Sequence, residues 1–314
     1  MKLAISVCKT CGSNRISDRG ELPPLDPRLF AGQASDAPIV AGHLFVCESC
    51  HLQFREPCLN GQQLLALYKQ LPDTIWADNE PRAYWPRIQN AINTYSSNNT
   101  LLDIGCYRGD FLVWMPANWK LLGVEPSIKA AEFAAGRGIT ILGATIEDVT
   151  APDPRPGVVT AFDVIEHIVT PLSFLKNIRD CLDRDGCIVI MTGATDTWPF
   201  RLFGRHYWYS ALPEHVTFYN LAWFRWAASR LNMRVVSHSY FSSEPRDIRQ
   251  WLRECALISL HTLVQSLKRL GIADRAIGAI PYGKLALSWR TVPWWKHSKD
   301  HILVVLKNNA TSDN

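Results

Sequence analysis

The chain has 314 residues, 47% of them hydrophobic and 20% charged, with 33 Lys and Arg against 29 Asp and Glu for a formal net charge of +4. That length can bury a large core and carry a second small module, and so modest a positive charge does not by itself point to nucleic acid. No stretch approaches about 18 uninterrupted apolar residues, which argues against a membrane-spanning helix, and the opening MKLAISVCKTCGSN lacks the length and cleavage site of a secretory signal, so a cytoplasmic protein is expected.

The first segment, residues 1–58, carries two CxxC pairs, Cys8-Lys-Thr-Cys11 and Cys47-Glu-Ser-Cys50, separated by 35 residues. Each pair can sit on a tight turn and offer two thiolates, and zinc takes four such ligands at about 2.3 Å. The plainer reading is four reduced cysteines in a small hairpin module. A redox pair is disfavoured, because neither CxxC opens a helix after a strand. The spacer implies an irregular loop over residues 20–40, and His51 beside Cys50 is a potential substitute ligand. Cys58, Cys106, Cys181, Cys187 and Cys255 show no paired spacing and read as core or neutral surface positions. The segment holds six Lys or Arg and six Asp or Glu, a balance that lacks the basic face phosphate binding needs. A structural module, or a lid over a substrate, fits better. Residues 59–97 read as a helical linker.

From residue 98 the pattern alternates short apolar runs with helical segments. TLLDIG, LLGVEPS, ITILGAT, VVTAFDVIEH and CIVIMTG read as strands; GDFLVWM, IKAAEFAAGRG and PLSFLKNIRDCLD read as helices between them. Such alternation means a parallel sheet covered on both faces, with ligands at the carboxyl ends of its strands. Asp103 ends the first strand there, Gly105 and Gly109 form the turn, and a helix N-terminus follows. Small residues let a ligand approach the backbone, and a helix start favours an anionic group. Glu125 ends the second strand, placed to accept from ribose hydroxyls. The spacing G-x-x-x-G, with Tyr107 where a dinucleotide fingerprint has its middle glycine, disfavours NAD.

These residues carry a resemblance. Asp103-Ile-Gly105-Cys-Tyr-Arg-Gly109, Glu125, Phe162-Asp163-Val-Ile-Glu166-His167 and Pro213-Glu214-His215-Val-Thr-Phe-Tyr219 resemble the class I S-adenosylmethionine-dependent methyltransferases. The CxxCGS and LFVCESCHLQF of the N-terminal segment look like the zinc-binding segment of bacterial sugar C-methyltransferase-like proteins. The resemblance implies a Rossmann-like α/β sheet over 98–241 and 299–308, preceded by a zinc-ribbon module. It implies that Asp103, Gly105 and Gly109 surround the methionine part of the cofactor and that Glu125 holds its ribose. Glu147 and Asp148 would meet the adenine, and Asp163 would border the methyl donor. The acceptor would be a small molecule or a glycan-type compound.

An acceptor with an acidic proton needs a base near its own pKa. His167, at a strand end after Glu166, and His215, in a Pro-Glu-His turn after His206-Tyr-Trp-Tyr209, are the candidates; either could instead be a hydrogen-bonded structural residue. Neither Asn-Pro-Pro-Tyr nor a Pro-Cys nucleophile follows the fourth strand, which argues against nucleobase methylation. Two other classes remain open. One is a non-catalytic cofactor-binding scaffold. The other is an RNA methyltransferase guided by the zinc module, which the module's zero net charge disfavours.

Residues 242–298 interrupt the domain before the closing strand HILVVLK. Asp247 to Leu270 reads as a helix with Ile248, Trp251, Leu252, Cys255, Ile258 and Leu263 roughly on one side, and Trp289-Arg-Thr-Val-Pro-Trp-Trp295-Lys-His mixes indoles with cations. From 245 to the end there are eleven Lys or Arg and five Asp or Glu. A helical cap or a homodimer face is one reading. The other is a peripheral membrane contact through 245–298, with indoles such as Trp294 and Trp295 in the interface and cations on anionic lipid.

Overall fold

The computed structural model describes residues 5, 7–23, 29–34, 39–76, 80–242, 247–272, 274–279, 282, 287, 292, 295 and 297–309. In chain order the N-terminal part gives β1 (Ile16–Glu21), β2 (Leu29–Phe30), β3 (Gln33–Ala34), β4 (His43–Cys47) and β5 (Gln53–Glu56), then α1 (Gly61–Gln70) and α2 (Trp85–Tyr95). The alternating region gives β6 (Thr100–Ile104), α3 (Asp110–Trp114), β7 (Lys120–Val124), α4 (Ile128–Gly136), β8 (Thr140–Gly143), β9 (Val158–Phe162), α5 (Pro171–Cys181) and β10 (Cys187–Gly193). The rest is α6 (Trp198–Phe203), α7 (Trp208–Ala211), β11 (Thr217–Phe218), α8 (Leu221–Arg230), β12 (Met233–Phe241), α9 (Ile248–Arg269), α10 (Asp274–Ile277) and β13 (His301–Asn308).

Seven strands form one sheet in the order β12-β13-β10-β9-β6-β7-β8. The five from β10 to β8 run parallel, while β13 is antiparallel to both β10 and β12. All seven residues of β10 are buried, as its unbroken apolar run requires of a strand covered on both faces. One face packs Leu102, Ile104, Val124 and Ile190 against Phe174, Trp223 and Phe224; the other packs Leu101, Val189 and Val305 against Trp85, Ile88 and Ile92. The chain winds outward from β6 through β7 to β8, then returns to lay β9 on the other side of β6. The crevice between the ends of β6 and β9 is therefore the ligand position for such a sheet.

The run read as one strand through VVTAFDVIEH stops at Phe162. Asp163 turns the chain with a left-handed φ of 51°, and Ile165–His167 form a 3-10 turn. The N-terminal module is also not free-standing. Its antiparallel sheet has the order β1-β4-β5-β11, so its edge is continued by a strand from between α7 and α8. Phe45, Leu52 and Phe54 share a core with Tyr219 and Trp223.

Helix α9 forms where expected, but its two sides differ from the expected grouping. Ile258, His261 and Val264 face inward and are buried, with Cys255 half-buried. Ile248, Trp251, Leu252 and Leu263 are exposed. The inward residues recur every three, so the helix turns them toward the domain while positions 248, 252 and 263 lie on the far side. Trp295 is 5% exposed and lies edge-on to Trp198 at 4.5 Å between ring centroids, which removes it from any membrane contact. Trp289 and Trp294 lie outside the described residues. No described helix is long and apolar enough to cross a membrane.

Candidate active site

The turn after β6 is built by its glycines. Gly105 and Gly109 have φ of +73° and +74°, and a Cβ on Gly109 would stand 2.0 Å from Ile139 Cδ1. Tyr107 between them also takes a positive φ, 50°, a conformation L residues adopt only where the surroundings hold it. What holds it is Glu125: its Oε2 accepts from the Tyr107 amide at 2.8 Å and its Oε1 from the Ser127 amide at 2.7 Å. The carboxylate is 7% exposed, and burial pushes its pKa up to about 7 against those two amides. Asp103 is buried beside it, accepts from Thr160 Oγ1 at 2.6 Å, and is likewise raised by burial to about 7.

A strap over residues 71–76 closes the outer side. Ser127 Oγ donates to the Leu71 carbonyl, and the Tyr107 hydroxyl donates to the Pro72 carbonyl while accepting from the Trp76 amide. Thus the tyrosine that breaks the dinucleotide pattern anchors a covering segment. Ring contacts then run from Tyr107 to Trp76, to Tyr68, to His167 and to His215, at 5.0 to 6.4 Å between centroids.

The inner end carries the histidines. Nδ1 of His167 donates to the Glu214 carbonyl and Nδ1 of His215 to the Tyr209 carbonyl, each at 2.9 Å. Carbonyl partners fix both tautomers, leaving each Nε2 with its lone pair. Burial holds both rings below the usual histidine range, His215 well below, so they are neutral at pH 7. His215 is 6% exposed; His167 is half-buried and is the more open of the two. Glu166 sits beneath them, accepting from the Tyr209 and Thr192 hydroxyls at 2.8 and 2.9 Å, with its pKa raised by burial to about 8. Asp163 Oδ1 is buried without a hydrogen bond among the described residues, 3.9 Å from His301 Nε2. Burial pulls the His301 pKa down, but its 2.8 Å contact with Asp300 and the nearby Asp163 and Glu166 raise it to about 9.

Asp103, Gly105, Glu125 and Asp163 lie at the carboxyl ends of β6, β7 and β9, with His167 near Asp163 and His215 packed on His167. Glu147 and Asp148 sit differently: both are exposed, Glu147 accepts from Asn177, and Asp148 caps its own turn through Thr145. Tyr68, Asp300 and His301 escape sequence reasoning because each is distant in sequence from the strand ends it meets, and Tyr209 was legible only as the end of the aromatic stretch before His215. The lone signal for His301 was the HILVVLK strand, whose first residue falls opposite Gly193.

The four cysteines of the paired motifs do converge. Cys8 Sγ is 3.7 Å from Cys50 Sγ, Cys11 Sγ is 3.5 Å from Cys47 Sγ, and all four sulfurs lie within 4.8 Å of one another. A tetrahedral zinc with sulfur at about 2.3 Å needs edges of roughly 3.8 Å, so the cradle fits that ion. The Cys50 thiol beside Cys8 lowers the Cys8 pKa to about 5, whereas burial raises Cys11 to about 11. A cation would release the remaining protons.

No curated protein matches this chain. Solved structures of similar fold include an S-adenosylmethionine-dependent methyltransferase from Mesorhizobium loti, at 16% identity over 72% of this chain and 98% of that one, TM-score 0.45. A possible histamine N-methyltransferase from Thermotoga maritima is 15% identical over 72% of this chain and 89% of that one, TM-score 0.44. A family model described as a methyltransferase domain matches residues 68–238, more than half of the chain and all of the elements from β6 to α8. The chain belongs to the methyltransferase-domain family.

Proposed function

We propose that the protein transfers a methyl group from S-adenosylmethionine to a small-molecule or glycan-type acceptor. The observation that carries this is Glu125, a buried carboxylate fixed at the end of β7 by two backbone amides that also shape the glycine turn. Each oxygen keeps a lone pair for a ribose hydroxyl. Gly105 and Gly109 make the sharp turn where Val164 and Ile139 leave no space for a Cβ, and Asp163 Oδ1, without a hydrogen bond among the described residues, would offer a negative group to the cofactor's cationic end.

When bound, the cofactor supplies an electrophilic methyl carbon on a sulfonium. The chain's part is positioning and proton handling. The strap of residues 71–76 excludes water, and the acceptor enters beside half-buried His167. An acceptor proton would be taken by an imidazole Nε2, with His167 the more open of the two rings and Glu166 beneath them setting the polarity of the cluster. Binding of S-adenosylmethionine by calorimetry, then release of S-adenosylhomocysteine with metabolite extracts, tests the reading. Absence of binding would overturn it. Binding with no release on any extract would favour the scaffold instead. His167→Ala should lower turnover while leaving cofactor affinity within about twofold.

The proposed peripheral membrane contact moves to the outer side of α9. Ile248, Leu252 and Leu263 are 75%, 57% and 49% exposed there, beside exposed Arg249 and Arg253. Such a contact would suit an acceptor carried on a lipid.

A further inference from the structure

Two neutral imidazoles and a carboxylate converge at the acceptor end, and general base work would use only one of them. One donor atom each from Glu166, His167 and His215 lies within 4.8 Å of the other two. Both rings give their Nδ1–H to a backbone carbonyl, which aims an Nε2 lone pair from each. This is how metal-binding histidines are held, with the outer nitrogen's bond setting tautomer and ring orientation. The carboxylate is held in the same manner, by one hydroxyl on each oxygen.

Two more carboxylates border this cluster. Glu214 is 8% exposed, and its Oε2 makes no hydrogen bond among the described residues. Asp163 Oδ1 is also buried and without a hydrogen bond among the described residues, on a side chain that is otherwise half-buried, and both carboxylates act electrostatically on His167. Buried carboxylate oxygens without donors are costly unless a positive charge compensates them. Arg55 acts electrostatically on Glu214, and Arg82 and His301, the latter at 3.9 Å, act on Asp163.

We propose that Glu166, His167 and His215 bind a divalent transition-metal ion, a second metal site separate from the four cysteines. Two imidazoles and one carboxylate select zinc, iron(II), cobalt(II) or nickel rather than magnesium or calcium, which prefer all-oxygen sets. Three protein ligands leave a coordination position open, as catalytic sites do. His167 is the most open of the three ligands, so an acceptor would reach the ion on its side. With the imidazole lone pairs on the ion, an acceptor hydroxyl coordinated there would ionise at lower pH and pass its proton to water in place of an imidazole base, and its oxygen lone pair would then form the bond to the methyl carbon. This deepens the methyltransferase reading and rests on it for the identity of the acceptor end.

The test uses full-length protein freed of metal and reloaded with cobalt(II). Two cobalt ions per chain are expected: one with intense thiolate charge-transfer bands, the other with only the weak bands of nitrogen and oxygen ligation. Glu166→Gln and His167→Gln should each reduce the count to one and leave the thiolate bands intact; Cys47→Ser should abolish the thiolate bands. His167 is half-buried, so its variant should remain folded even where a change at Glu166 does not. A parent that binds one cobalt, with thiolate bands alone, would overturn the second site. Calorimetry with S-adenosylmethionine on the same preparations separates the outcomes. Cofactor binding with a single cobalt removes the metal and leaves the methyltransferase reading standing; two cobalt ions without cofactor binding would do the opposite.

Discussion

Glu125→Gln is the most direct probe of the cofactor site. In the parent, each carboxylate oxygen takes one backbone amide and keeps one lone pair outward. The amide side chain retains one accepting oxygen and turns an NH2 group toward a backbone N–H, so one charged acceptor for ribose is lost. Hydrogen bonds to charged groups contribute about 1.5–3 kcal/mol each, so S-adenosylmethionine affinity should fall roughly 10- to 150-fold. The pH dependence gives a second reading. Burial raises the Glu125 pKa to about 7, so parent affinity should decline as pH drops below about 7 and the carboxyl takes a proton, a response the glutamine variant should lack. In the cofactor-free protein the sign is opposite: a carboxyl bound more tightly to its proton when folded stabilises the fold at low pH. That contribution is lost between the ordinary value of 4.5 and about 7. Calorimetric titration at pH 8 and pH 6, for both proteins, measures all of this. Glutamine affinity within twofold of the parent at pH 8 would refute the ribose assignment.

Titration of the intact protein with an organomercurial should release one cysteine-bound metal equivalent to a chromogenic chelator, and Cys47→Ser should release none from that site. Arg55→Met should cost roughly 3 kcal/mol or more in denaturant unfolding, because it strands the buried carbonyls of Ser210, Leu212 and His215; a loss under about 1 kcal/mol would contradict the geometry. Vesicles of anionic lipid should sediment with the protein at low salt and release it at high salt. Leu252→Ser plus Leu263→Ser should abolish sedimentation, and unchanged binding would put the contact elsewhere.

The sequence was most legible where a local rule decides the outcome. The β6 turn follows from Gly105 and Gly109, whose positive φ and tight surroundings no other residue suits, and the four sulfurs meet because two CxxC turns can close on one point. Helix α9 was legible as a helix from its apolar spacing. Which side faces the domain was not, because apolar residues lie on both sides and only tertiary contact chooses Ile258 and Val264 over Leu252 and Leu263. Trp295 shows the same limit: an indole among cations suits an interface equally well as a core, and Trp198 settles it. The acceptor end was half legible. Its histidines stand in recognisable strand-end and turn positions, but Tyr209 and His301 reach Glu166 and Asp163 only because β10, β13 and α7 are brought together by the sheet.

The joining of the cysteine module to the acceptor end gives that module a role beyond covering. Strand β5 pairs with β11, two residues after His215, and the Arg55 amide donates to the Val216 carbonyl. The Arg55 side chain donates to the carbonyls of Ala41, Ser210, Leu212 and His215, so one buried guanidinium ties the module to the segment that carries Tyr209 and His215. On the other side of that segment, the Val216 amide donates to the Glu166 carbonyl, and the Thr217 hydroxyl lies within bonding distance of the Ile165 carbonyl. Glu166 and His215 are thus set relative to each other by a strand whose outer edge is supplied by the N-terminal sheet. Burial pushes the Arg55 pKa down to about 10, so the guanidinium still carries its charge at pH 7 and keeps its hold. Metal loss at the cysteines would therefore loosen β4 and β5 first and the histidine pair next. Cofactor binding, resting on β6 and β7, would be affected least.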